Sequence, residues 1–337
     1  MTGNFLLDWG IISTSLFNTI ILFWLGLTVL FNSDMRRPGV WIAGSGLLMG
    51  GLFFIIHSAI VSNEINYVGS HIQIMWFLSW ILLVLMPFSW YILILWYLGF
   101  WKKTESYLKK RHKYFFIFIL ILFLIIARFV LFTNTLPSFQ QFAMLDLTQL
   151  LSFRDIPILI ILYPVFIVFC IIFSLDALRF PGPASRIMGD IARKRARPWL
   201  IATSVSLLMV SFLVTCFLLW IVFNTPNYDE YENYMELLPF IGLFDLLIGL
   251  FISVAILFLG QAITSYEIFT GKTLPRRGLF RNWLNIIFIA SGYGIFVGAG
   301  LTVRVSPVYY LLLTTILMTL FSALFNWRFY RERERYM

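Results

Sequence analysis

Nine apolar runs, each about 20 residues or longer, dominate the 337-residue chain. They fall at 10–31, 39–62, 73–100, 113–134, 156–178, 199–224, 238–263, 283–303 and 307–327. About 20 consecutive apolar residues are what a helix needs to cross the hydrocarbon layer of a bilayer. The runs do not alternate in polarity and are twice the length a barrel strand uses, so they point to helices. Only 12% of the residues are charged, against roughly a quarter in a soluble domain. The expected fold is an all-α, polytopic integral membrane bundle of about nine transmembrane helices. It occupies 1–327, with a cytoplasmic juxtamembrane linker at 328–337.

The basic residues set the expected orientation. Of the 25 Lys and Arg, 22 lie in five segments that follow the first, third, fifth, seventh and ninth runs. The other side carries Asp8, Glu64, Asp146, Asp155, Asp229, Glu230, Glu232 and Glu236. By the positive-inside rule the N-terminus is outside and the C-terminus cytoplasmic. The net charge of +9 is therefore a topology signal, with membrane lipid and not nucleic acid as the partner. The N-terminus has neither the basic start nor the small-residue cleavage site of a secretory signal, so the first run is expected to stay. A multi-pass protein of a bacterial cytoplasmic membrane is the expected localisation.

Two connecting segments carry pattern. Residues 137–155 place Phe139, Phe142, Leu145, Leu147, Leu150 and Leu151 near helical spacing, which suggests a surface helix. Residues Ala184–Arg197 form a basic, partly amphipathic stretch suited to an anionic lipid surface. Gly46-xxx-Gly50 and Gly294-xxx-Gly298 have the spacing that lets helix backbones approach closely. Cys170 and Cys216 lie inside apolar runs and read as packing residues rather than a disulfide.

Polar groups at bilayer depth are costly and mark structure or function. Arg128 and Asp245 lie at matching depths of about 9 and 10 Å from the same end of the bundle, at 1.5 Å per residue. Opposite charge at equal depth predicts that they pair or share a hydrated cavity. His57, His71 and Arg304 fall on that side too, so the candidate ligand-binding or intramembrane polar cluster is His57, His71, Arg128, Asp245 and Arg304. Trp76, Trp80 and Trp90 are candidate aromatic walls, or simply interfacial belt residues. Asp176 and Glu267 fall at inner helix ends, within reach of water, and His112 falls in a basic loop.

No catalytic string of the zinc-protease, P-loop or nucleophile-elbow kind occurs, so the chain is not expected to be an enzyme. Three histidines, one of them in that basic loop, leave little for metal or cofactor ligation. No lysine lies in the interior of a run to form a Schiff base; Lys113 only opens the fourth. Transport would call for several intramembrane acids or an internal repeat. Asp245 is the one deep acid, and no repeat is evident.

The stretch Leu259–Gly278 (LGQAITSYEIFTGKTLPRRG) resembles one in the N-terminal membrane regions of GAF-containing bacterial sensor histidine kinases. The terminal Glu-Arg-Glu-Arg-Tyr-Met337 looks like the linker before their soluble sensor domains. The two stretches cover about 30 residues and neither is catalytic. The chain departs from that family in having no GAF, phospho-acceptor or ATP-binding region. The resemblance implies a membrane sensory module in a two-component system. Such a module passes an extracytoplasmic or intramembrane signal through its last helix to a cytoplasmic output domain or partner, with a homodimer as one assembly. A secondary transporter or channel, or a non-catalytic subunit of a larger membrane complex, are the alternatives.

Overall fold

A computed structural model describes residues 2–32, 38–62, 70–101, 107–132, 136–139, 141, 152–153, 156–180, 187–224, 231–266, 277–303, 314–316 and 319. Its helices are α1 (Phe5–Asn32), α2 (Pro38–Ser62), α3 (Ser70–Leu98), α4 (Tyr107–Phe132), α5 (Ile158–Arg179), α6 (Ile187–Asn224), α7 (Tyr231–Tyr266) and α8 (Arg277–Val303). All eight are long and apolar enough to cross a membrane. Each coincides with one of the first eight apolar runs, so the protein is an all-α, polytopic helix bundle. The ninth run, 307–327, lies almost wholly outside the described residues, as do the linker at 328–337 and the Gly-Lys-Thr-Leu-Pro loop. The few residues described there, 314–316 and 319, are helical.

Local chemistry explains several helix ends. Asn4 caps α1, its Oδ1 accepting from the Leu6 amide at 3.1 Å. Asp8, in the first turn, accepts from the Thr2 amide and hydroxyl at 2.8 and 2.9 Å. Pro87, Pro164, Pro198 and Pro239 all lie inside helices. Intramembrane helices tolerate proline because neighbouring groups satisfy the freed carbonyls.

Two connecting segments differ from their expected form. The basic stretch to Arg197 is not a separate surface helix. It is the first part of the 38-residue α6, which continues through Pro198. Of the expected surface helix at 137–155, residues 142–151 lie outside the described residues. At its far end, Ser152–Phe153 pairs antiparallel with Ile156–Pro157, so those four residues are extended and not helical. Its near end docks on α3: the Trp76 indole N–H donates to the Pro137 carbonyl at 2.7 Å, and Phe139 packs edge-on to Trp76.

Six helices close a ring. α1 packs on α2, α2 on α3, α3 on α5, α5 on α6, α6 on α7, and α7 returns to α1. The remaining two flank it, α4 against α3 and α5, and α8 against α1 and α7. α1 is thus the joint of the bundle, touching α2, α7 and α8.

Small residues decide how closely α1 is approached. On α2, Gly44 and Gly51 receive Leu30 and Phe23 of α1. On α7, Gly242 faces Thr2 and Leu7, and Gly249 faces Thr14. Both pairs are seven residues apart, which returns a helix to nearly the same face. On α8, Gly294 and Gly298 pack on Ser13 of α1, as their four-residue spacing suggested. Gly46 does not work this way: a Cβ there would meet only Ser89 of α3, at 3.8 Å.

A Cβ at Gly294 would lie 2.7 Å from the Ser13 carbonyl oxygen, a backbone atom that cannot swing aside. Gly294→Leu is therefore expected to force α1 and α8 apart and destabilise by about 1–3 kcal/mol, in the range of overpacked cores. Gly46→Ala should be close to neutral. Thermal unfolding of the two variants in detergent checks this, and equal melting temperatures would contradict the packing.

Candidate functional site

Among the described residues, two polar constellations interrupt the apolar bundle. The first lies towards the end opposite the basic segments and is built on α1. Asn18, fully buried, donates from Nδ2 to the Gly249 carbonyl at 3.2 Å and accepts from the Ser253 hydroxyl at 2.7 Å. One turn earlier, Ser15 lies 2.6 Å from the Ser58 hydroxyl and 3.1 Å from the Phe54 carbonyl. One edge of α1 thus holds α7 through Asn18 and α2 through Ser15.

Between those two partners lies the charged pair. His57 Nε2 of α2 is 3.1 Å from Asp245 Oδ1 of α7, and the side chains are 24% and 27% exposed. That exposure marks the pair as part-buried, neither sealed in the core nor free in solvent. The His57 ring stacks on Phe53 at 5.9 Å and meets Phe54 edge-on at 6.4 Å. His57 Nδ1 is buried without a hydrogen-bond partner. The site can therefore hold charge between two helices that are both packed against α1.

The sequence places these residues at one end, but the structure groups them differently. His57 and Asp245 come together. The expected Arg128–Asp245 pair does not form, because α4 packs on α3 and α5 whereas Asp245 is carried by α7 on the other side of the ring. Arg128 is exposed, among Ile121, Leu124, Ile125 and Leu131 on the outer face of α4. A long basic side chain near a helix end reaches the interface from there. His71 opens α3, also exposed. Arg304 lies outside the described residues. Trp80 and Trp90 are 8% exposed and belong to the core rather than to an interfacial belt.

The second constellation lies towards the basic end, among α3, α4 and α5. Arg111 grips Asp176 side-on, with Nη2 to Oδ1 and Nε to Oδ2 both at 2.9 Å. His112 Nε2 lies 3.4 Å from the same Oδ2, and its Nδ1 is 3.3 Å from the Tyr91 hydroxyl. His112 and Tyr91 are fully buried. The Arg111 guanidinium also faces the rings of Phe180 and Phe115 at 5.4 and 6.0 Å. Sequence reading missed this cluster. It put His112 in a loop because four other basic residues surround it at 109–113, yet α4 begins at Tyr107 and turns His112 inward. Asp176 is correspondingly drier than its helix-end position implies, at 14% exposure. A usable signal was present: an acid near the end of one apolar run, opposite a basic pair at the start of another.

The ring helices line an apolar pocket of about 210 Å³ that is partly open to the outside. Every ring helix contributes to its wall, among them Leu22 of α1, Phe53 of α2, Trp90 of α3, Ile167 of α5, Leu207 of α6 and Ile256 of α7. Of its hydroxyl groups, Thr203 and Ser211 already donate to the carbonyls of Trp199 and Leu207 four residues back.

No family model matches the chain, and no curated protein and no solved structure matches it.

Asp176 is the shared partner of Arg111 and His112 and is the hub of the second cluster. Asp176→Ala should lower the melting temperature well beyond Arg111→Gln, since it leaves the Arg111 charge and the buried His112 Nε2 both without their partner. Arg111 is more than a third exposed, and its loss is largely screened by water. Equal effects of the two substitutions in thermal unfolding would show that Asp176 is not the hub.

Proposed function

We propose that the protein is a membrane sensory module of a bacterial cytoplasmic membrane, N-terminus outside and C-terminus inside. It takes an extracytoplasmic or intramembrane signal and passes it through its last helix to a cytoplasmic output domain or partner. The observation that carries this reading is the His57–Asp245 contact, a part-exposed charged pair joining two helices of the ring. Charges in a low-dielectric setting attract far more strongly than in water. A change that separates or protonates such a pair shifts the balance between two packings of α2 and α7, and a signal acts only by favouring one packing over the other.

A route to the last helix is supported by contacts. α1 carries both partners of the pair through Ser15 and Asn18, and α8 is seated on α1 at Gly294 and Gly298. The Trp9 indole N–H donates to the Ile295 carbonyl at 3.0 Å, fixing the same two helices. From α8 the Tyr293 hydroxyl donates to the Thr314 carbonyl at 3.1 Å, the described start of the ninth run. Displacement of α1 is thus transmitted to the segment that leads out of the membrane. The short resemblance to sensor-kinase membrane regions agrees with this direction of signalling. Transport of a polar solute is less well supported, because the pocket between the helices is lined by aliphatic and aromatic side chains that would strip the solute of water without replacing its hydrogen bonds.

Fusing the chain through its last helix to a reporter kinase domain tests the reading. His57→Gln and Asp245→Asn, each confirmed as folded, should both move basal kinase output in the same direction, because each breaks the same pair. Output indifferent to both, together with solute flux into proteoliposomes that Asp245→Asn abolishes, would replace sensing by transport.

A further inference from the structure

We propose that the space inside the six-helix ring is a binding site for a compact apolar molecule, hydrocarbon or aromatic in character, and that this molecule is the signal the module reads. Binding stands on the cavity alone, whereas the role as signal rests on the sensory function proposed above.

The size and the wall define the ligand class. An apolar cavity of about 150 Å³ lined by Leu, Ile and Phe stays dry and takes up benzene. The space here, at about 210 Å³, is larger and walled by the same kinds of side chain, with Phe53, Phe54, Trp90 and Tyr163 adding aromatic faces. Water would find few partners there, since Thr203 and Ser211 are committed to helix carbonyls. A charged or strongly polar ligand would lose its hydration for the same reason. An apolar guest supplies the dispersion contacts that the walls otherwise lack. Its natural source is the surrounding bilayer, in which such molecules concentrate.

Position links the site to the charged pair. Phe53 and Phe54 form part of the cavity wall and also contact the His57 ring. Ile252, Ala255, Ile256 and Leu259 bring α7 to the same wall, beginning about two turns from Asp245. A guest therefore presses on both helices that the pair joins. Gly46 has a role here distinct from close helix packing: lacking a side chain, it leaves room on the α2 side of the chamber.

The test uses the full chain in lipid nanodiscs and a compact apolar photoprobe, a trifluoromethyl phenyl diazirine. Labelled peptides are mapped by mass spectrometry, with an excess of the non-photoreactive toluene analogue as competitor. The expected result is saturable, competed labelling of the cavity segments 83–93 of α3 and 252–259 of α7. Lipid-facing Ile121 and Leu124 of α4 should label in proportion to probe, without competition. Gly46→Leu extends a side chain into the chamber from a position whose Cβ has only ordinary contact with Ser89, and it should remove the saturable component. Ser89→Leu fills the chamber from the facing wall and should do the same if Gly46→Leu does not fold. Labelling that is nowhere saturable, or that survives in a folded variant of either kind, overturns the site. Saturable labelling with no change in reporter-kinase output on adding the competitor keeps the site and rejects its role as signal.

Discussion

The bundle depends on a line of hydrogen bonds along one edge of α1. Ser15 reaches α2, and Asn18 reaches α7 through both Gly249 and Ser253. Between apolar helices in lipid, hydrophobic burial gives no preference for one neighbour over another, so close packing and interhelical hydrogen bonds select partners. Here the two act together. The glycines at 44, 51, 242 and 249 let α2 and α7 come near enough for the α1 side chains to reach them. Remove the edge and neither the ring nor the His57–Asp245 contact is specified.

The two charged clusters then divide the labour. Towards the basic end, Asp176 is held by a side-on guanidinium and flanked by a buried His–Tyr pair, an arrangement with many contacts and little freedom. At the other end, a single His–Asp contact bridges two ring helices and keeps partial exposure. The clamp joins α3, α4 and α5, whereas the single contact joins α2 and α7, so the two clusters hold different helices of the bundle.

Helix positions were legible in the sequence, because length and hydropathy alone determine which segments can lie in lipid. The first eight runs correspond to helices, the largest difference being where the basic stretch and Pro198 continue a helix, so that Ile187–Asn224 begins well before its apolar run. Which helices touch was not legible. Equal depth made Arg128 and Asp245 look like partners, but depth fixes only one coordinate, and the pair is separated around the ring. His57 carried the same depth signal as Asp245 and was the right partner. Periodicity could not reveal Gly242 and Gly249 as contact points, because a seven-residue spacing stands out only once the partner face is known. Ser15 and Asn18 passed unnoticed, since isolated small polar residues in an apolar helix usually satisfy their own backbone.

The most direct test of this account is whether α1 and α2 meet at Ser15 and Ser58. With Cys170 and Cys216 replaced by serine, Ser15→Cys and Ser58→Cys are introduced together and the protein is oxidised in membranes. The hydroxyls lie 2.6 Å apart, so an intramolecular disulfide should form rapidly and nearly completely, as a mobility shift reversed by reductant. Absence of that bond, with Arg128→Cys and Asp245→Cys cross-linking instead, would contradict the ring and place α4 beside α7.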